Sequence, residues 1–207
     1  MKRAFLFLLG AALLAIVVAP VQAQDLTKSD RAALVNYLKE TRNGVETATK
    51  GLTDEQLKFK PAPDRWSIAE CMEHIAAAED YLFDLVSNKV MKTAGLTEPF
   101  DLAKAHEIDA KVKAGVTDRS QKAQAPEPLV PTNRFGSPQG SWKHFVESRK
   151  RTIEFVQNEN GLRARVMDSP VAKNMDAYQW VLFLSAHSAR HTAQILEVRR
   201  DPNFPKK

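Results

Sequence analysis

A single cysteine, Cys71, stands in the 207 residues of this chain, so no internal disulfide can form and packing alone must hold the fold. Cys71 falls in the middle of an apolar helical stripe, where a thiol serves as a small core filler; ligation of a metal is the alternative role. Aromatic residues make up only 8% of the chain, and lysines and arginines are scattered among acidic residues to a formal net charge of +5. A basic stripe with interleaved aromatics, the mark of a nucleic-acid surface, is missing, so nucleic acid is not expected as a partner. Alternating polar and apolar segments are missing too, which argues against a sheet. No apolar run reaches the roughly 20 residues of a bilayer span.

The one long apolar run, residues 4–18, follows basic Lys2 and Arg3 and ends in Val21-Gln22-Ala23, a small-residue exit before polar Gln24. That is the pattern of a cleaved signal peptide, residues 1–23. The expected product is one domain, residues 24–207, soluble in the periplasm or secreted, with no stable membrane insertion after cleavage.

Within it, four amphipathic segments stand out. Ser29 is placed to cap a first helix reaching about residue 50, closed by Gly51. Residues 52–65, with Pro61 and Pro63, read as a connection. Ser67-Ile68-Ala69-Glu70 has capping-box spacing and opens a second helix to about residue 91. Ser141 caps a third to about residue 158, and Asp176 begins a fourth that Asp201-Pro202 stops near residue 200. Between the second and third, residues 93–140 carry Pro99, Pro126, Pro128, Pro131 and Pro138 and only a short helical possibility at 101–112. The reading is all-α: a four-helix bundle whose helices two and three are joined by this long crossover, a lid, a partner surface or a mobile insertion.

On the fourth helix, at about 100° per residue, His187 and His191 share a stripe with Trp180, Phe183, Leu184, Ile195 and Val198. Two imidazoles one turn apart and turned inward need partners for their nitrogens, and that spacing lets both rings converge on one ion. A hydrogen-bonded pair of core histidines is the alternative. On the second helix His74 lies at the edge of the stripe of Ile68, Cys71, Ile75, Leu82, Leu85 and Val86, with Glu70, Glu73, Asp80 and Asp84 toward the opposite face. A third imidazole from a facing helix is what a metal site in a bundle core requires. His106 and His144 fall outside this pattern and are expected to face solvent. Trp66, Trp142 and Trp180 read as packing anchors.

The segment Asp64-Arg65-Trp66-Ser67-Ile68-Ala69-Glu70-Cys71-Met72-Glu73-His74 and the segment His187-Ser188-Ala189-Arg190-His191-Thr192-Ala193-Gln194-Ile195, in this order, resemble the DinB-like superfamily of four-helix metalloproteins. The resemblance implies that His74, His187 and His191 hold one divalent ion, such as nickel, zinc or iron, with water completing its shell. Three neutral imidazoles suit first-row metals and disfavour calcium and magnesium.

Some members of that superfamily resemble thiol transferases using cytosolic low-molecular-weight thiols, which an exported protein would not meet; metal-assisted hydrolysis or transfer on a small substrate ranks above thiol transfer here. The His-Ser-Ala-Arg-His segment lacks the glutamate of a zinc-protease helix, leaving Glu70, one turn before His74, as the candidate base or helix cap. Gln194 and Arg190 flank the pair and are placed to orient a substrate. The competing reading is a non-catalytic metal-binding or stress-associated scaffold. A third is an interaction module without metal, pairing with a second copy through an apolar helix face.

Overall fold

The computed structural model describes residues 26–96, 100–120, 122, 124–169 and 172–206; the expected signal segment lies outside them. Helix α1 spans Lys28–Thr49, the short α2 Asp54–Lys58, α3 Ile68–Asn88, α4 Leu102–Thr117, α5 Pro138–Asn158 and α6 Ala177–Arg199. Strands β1 (Val166–Met167) and β2 (Met175–Asp176) form a two-stranded antiparallel ribbon at the entrance to α6. No helix among the described residues is long and apolar enough to cross a membrane.

Both α1 and α3 pack against α5 and α6, so α1 and α3 occupy opposite corners of a four-helix bundle. The core is continuous with the sequence stripes: Leu34, Leu38, Ile68, Ile75, Phe145, Leu184 and Ile195 are essentially inaccessible. At its centre lies a polar crossbeam. Arg149 of α5 donates to Glu79 of α3 through Nε (2.8 Å) and Nη2 (2.7 Å), to Leu38 O and Thr41 Oγ1 of α1 (2.9 and 2.7 Å), and to Ser188 Oγ of α6 (2.8 Å). Both charged side chains are fully buried. Burying two ions is expensive, and the desolvation is offset only because every guanidinium nitrogen finds an acceptor and Thr152 also donates to Glu79. One residue thus ties all four bundle helices into one register.

Four helix starts illustrate how caps set boundaries. The capping box of Ser67 with Glu70 forms as the spacing predicts, and Asp176 starts α6 as expected, there closing a box with Gln179. The first helix, however, is capped by Thr27, whose hydroxyl accepts from Asp30 N at 3.0 Å; Ser29 sits in the first turn. Likewise Ser137 caps α5, because Pro138 suits the first helical position and Ser141 then falls one turn inside, buried and bonded to Ser137 O.

The connection at 52–65 contains α2, opened by a capping box of Thr53 and Gln56. The crossover is more ordered than its prolines suggest: α4 runs to Thr117 and lies along α6. It is fastened there by Arg163, which pairs with Asp109 of α4 (2.8 and 2.6 Å) and with Asp176 at the start of α6 (2.9 Å), its guanidinium 3.7 Å from the Tyr178 ring centre.

Candidate metal centre

His74 of α3 and His187 and His191 of α6 come together between the facing helices. One nitrogen from each lies within 4.8 Å of the others, and ring centres are 4.9, 4.4 and 4.5 Å apart for the pairs 74–187, 74–191 and 187–191. His74 and His191 are buried and His187 is partly exposed, so the cluster sits at the mouth of the bundle rather than sealed within it.

The hydrogen bonds on the outer side of the rings decide which nitrogens face inward. His74 Nδ1 lies 2.8 Å from Leu129 O; a carbonyl only accepts, so Nδ1 carries the proton and Nε2 keeps its lone pair. His191 Nδ1 lies 2.9 Å from Gln194 Oε1. Arg119 Nη1, which can only donate, approaches the same oxygen at 3.5 Å, so this end of the amide is the carbonyl and His191 Nδ1 is also the donor. His74 Nε2 and His187 Nε2 are 3.1 Å apart. Two nitrogens about 2.0–2.1 Å from one tetrahedral ion stand about 3.4 Å apart, so these rings need little movement to share one.

Burial pushes the pKa of His74 below the ordinary imidazole value and takes His191, with His74 beside it, down to about 3. His187 is driven well below the usual range by desolvation and the two neighbouring rings. All three imidazoles are neutral at neutral pH, the form that binds metal. The donor set fits a divalent first-row ion: three clustered neutral imidazoles, two of them with their outer nitrogens already fixed by acceptors.

Trp66, just before α3, closes one side, its ring centre 4.7 Å from that of His74 and 6.1 Å from that of His191. The crossover closes another. Arg119 makes a two-pronged pair with Glu197 of α6, both bonds 2.6 Å, and Arg190 of α6 donates to Val116 O (3.3 Å) and to Asp118 O.

Other residues singled out by sequence lie elsewhere. Glu70 accepts from Ser67 N at 2.7 Å and pairs with Lys60 at 3.1 Å, so its carboxylate is committed to the start of α3. Cys71 is fully buried and outside the cluster, and desolvation raises its thiol to about 12. His144 pairs with Asp80 at 2.5 Å and stacks on Phe135, while His106 bonds Asp30 at 3.0 Å. His106 is exposed, as expected, with Asp30 as its partner, whereas His144 is half-buried between Asp80 and Phe135 rather than simply solvent-facing.

Glu73 is the clearest departure. Its position on the polar face of α3 suggests a solvated carboxylate, yet it is buried, because the loop after Leu129 folds over that face and its amides close on the oxygens. Helical periodicity reports which face meets the bundle, not which face a distant loop covers. The Leu129 carbonyl was equally invisible, since backbone acceptors leave no residue-type signal.

The chain is 28% identical over 166 residues to the uncharacterized protein YuaE of Bacillus subtilis (strain 168), an alignment covering 80% of this chain and 96% of that protein. Its fold matches that of YfiT from Bacillus subtilis, described as a probable metal-dependent hydrolase with an unusual four-helix bundle topology. The TM-score is 0.53 at 16% identity, over 87% of this chain and 91% of that one. The family model of the DinB superfamily matches residues 37–195, all three clustered histidines included, and the chain belongs to that superfamily.

Proposed function

We propose that this protein is a metal-dependent hydrolase acting on a small substrate at the opening beside His187. The observation that carries the reading is the clustering of three neutral imidazoles, one nitrogen from each within 4.8 Å of the others, with Nδ1 of His74 and His191 turned to outer acceptors. It is supported by the description of YfiT as a probable metal-dependent hydrolase. His74, His187 and His191 would hold the ion. A divalent ion there supplies Lewis acidity toward water and toward a substrate oxygen. Around it, Trp66 excludes water from one side, and Gln194 and the Leu129 carbonyl keep the rings in the ligating tautomer. Arg190 of α6, which donates to the Val116 and Asp118 carbonyls at the end of α4, holds the crossover beside the site. Transfer to an acceptor other than water would use the same arrangement.

The test is a panel of carboxylic esters, phosphoesters and amides, offered to protein loaded in turn with nickel, zinc and iron. Turnover that His187→Ala abolishes with the helical signal unchanged supports hydrolysis. A second reading, a non-catalytic metal-binding protein, is favoured by one observation: no carboxylate joins the three histidines among the described residues, and Glu70 is held by Ser67 and Lys60. Full metal loading without turnover across the panel would select it.

The leader pattern of residues 1–23 supports export. Protein recovered from the periplasm or medium should begin at Gln24; a retained Met1 with the protein in the cytosol would refute that.

A further inference from the structure

The loop from Glu127 to Gly136 is braced from within. Glu73, one residue before His74 on α3, accepts from the backbone N–H of Thr132 (2.7 Å), Asn133 (2.8 Å) and Arg134 (3.0 Å) and from Arg134 Nε (3.2 Å). Three successive amides turned onto one carboxylate need an irregular backbone, which Asn133 provides at φ 62°, a left-handed conformation asparagine tolerates. The rest of the Arg134 guanidinium then reaches back along the loop: Nη1 donates to Pro128 O at 2.8 Å and Nη2 to Val130 O at 2.6 Å. These carbonyls flank Leu129, whose own carbonyl accepts from His74 Nδ1. The Leu129 side chain is buried against Ala77 and Ala78, one turn farther along α3.

We propose that Glu73 and Arg134 are positioning residues of the metal centre: they clamp the crossover loop so that the Leu129 carbonyl fixes the His74 ring with Nε2 toward the ion. The inference rests on the metal-binding reading and adds to it a reason for the crossover, which supplies the acceptor that orients one ligand. A carboxylate with four donors is a stiff, directional anchor, and a guanidinium spanning the two neighbouring carbonyls leaves Leu129 little freedom to turn. Without the clamp, the His74 ring would sample both tautomers and other rotations, and part of the binding free energy would be spent on reordering it.

Two readouts test this on the full-length folded protein: zinc affinity by competition with a chromophoric chelator, and the His74 tautomer in metal-free protein by long-range proton–nitrogen correlation of the imidazoles. Glu73→Gln and Arg134→Ala should each weaken zinc binding about tenfold to a hundredfold and shift His74 from the Nδ1–H form toward a mixture. Asp101→Ala removes the cap of α4 in the same crossover and should leave both readouts unchanged. Either readout unmoved in both variants would overturn the proposal, as would an equal loss of affinity in Asp101→Ala. If the unaltered protein binds no zinc, nickel or iron, the metal reading itself fails and the proposal falls with it, whatever the tautomers show.

Discussion

Replacing Arg149 by methionine removes the guanidinium that joins α5 to α1, α3 and α6 and leaves the Glu79 carboxylate buried with Thr152 as its remaining donor. Breaking a buried pair from one side costs about 3–5 kcal/mol, because the remaining charge stays desolvated. For a chain of this size each kcal/mol moves the midpoint by roughly 2–4 °C, so Arg149→Met should lower Tm by about 6–20 °C. Glu79→Leu should cost a similar amount by stranding Arg149. The double variant should recover most of the loss and lie within about 2 kcal/mol of the original protein. The remaining hydroxyls keep acceptors of their own: Thr41 with Ser185 at 3.0 Å, Thr152 with Ser148 O at 3.2 Å and Ser188 with Leu184 O at 3.5 Å. Urea unfolding followed by circular dichroism gives all four free energies. Additive losses in the double variant, or a single variant costing under about 1 kcal/mol, would refute the view that stranded charge dominates.

Burial alone would raise the Glu73 pKa, but hydrogen bonds from Thr132, Arg134 and Asn133 hold it below the ordinary carboxylate value. Its contribution is therefore complete above pH 4.5 and lost as pH falls through the lower folded value. Hydrogen exchange at these three amides, corrected for intrinsic rates, should show protection falling at acid pH before the bundle unfolds; constant protection would contradict this. The Cys71 thiol, raised to about 12 by burial, should resist iodoacetamide at pH 8 in native protein and react fully in denaturant; rapid native alkylation would be inconsistent with a packed core. Gln194→Leu frees His191 Nδ1 and should weaken metal binding about tenfold or more while leaving the helical signal intact; unchanged affinity would show that Gln194 does not orient the ring.

The bundle was legible because its information is periodic. The stripes of α3 and α6, the box at Ser67 and the helix start at Asp176 depend on neighbours within a turn or two, so spacing alone carries them. The histidine pair on α6 was legible for the same reason, as was His74 at the edge of its stripe, and the DinB resemblance joined the three. Elements fixed by distant partners were not. The length of α4 depends on packing along α6 and on Arg163, 54 residues from Asp109; β1 and β2 are two residues each, below any readable alternation. The burial of Glu73 depends on amides about 60 residues away.

The central claim is that His74, His187 and His191 ligate one divalent ion through imidazole nitrogens alone. X-ray absorption at the zinc edge of zinc-loaded protein tests it most directly. The account predicts three imidazole nitrogens at about 2.0–2.1 Å, with oxygen in the remaining position and the imidazole signal reduced in each single alanine variant. A sulfur shell at about 2.3 Å, or a spectrum unaffected by loss of these histidines, would contradict it.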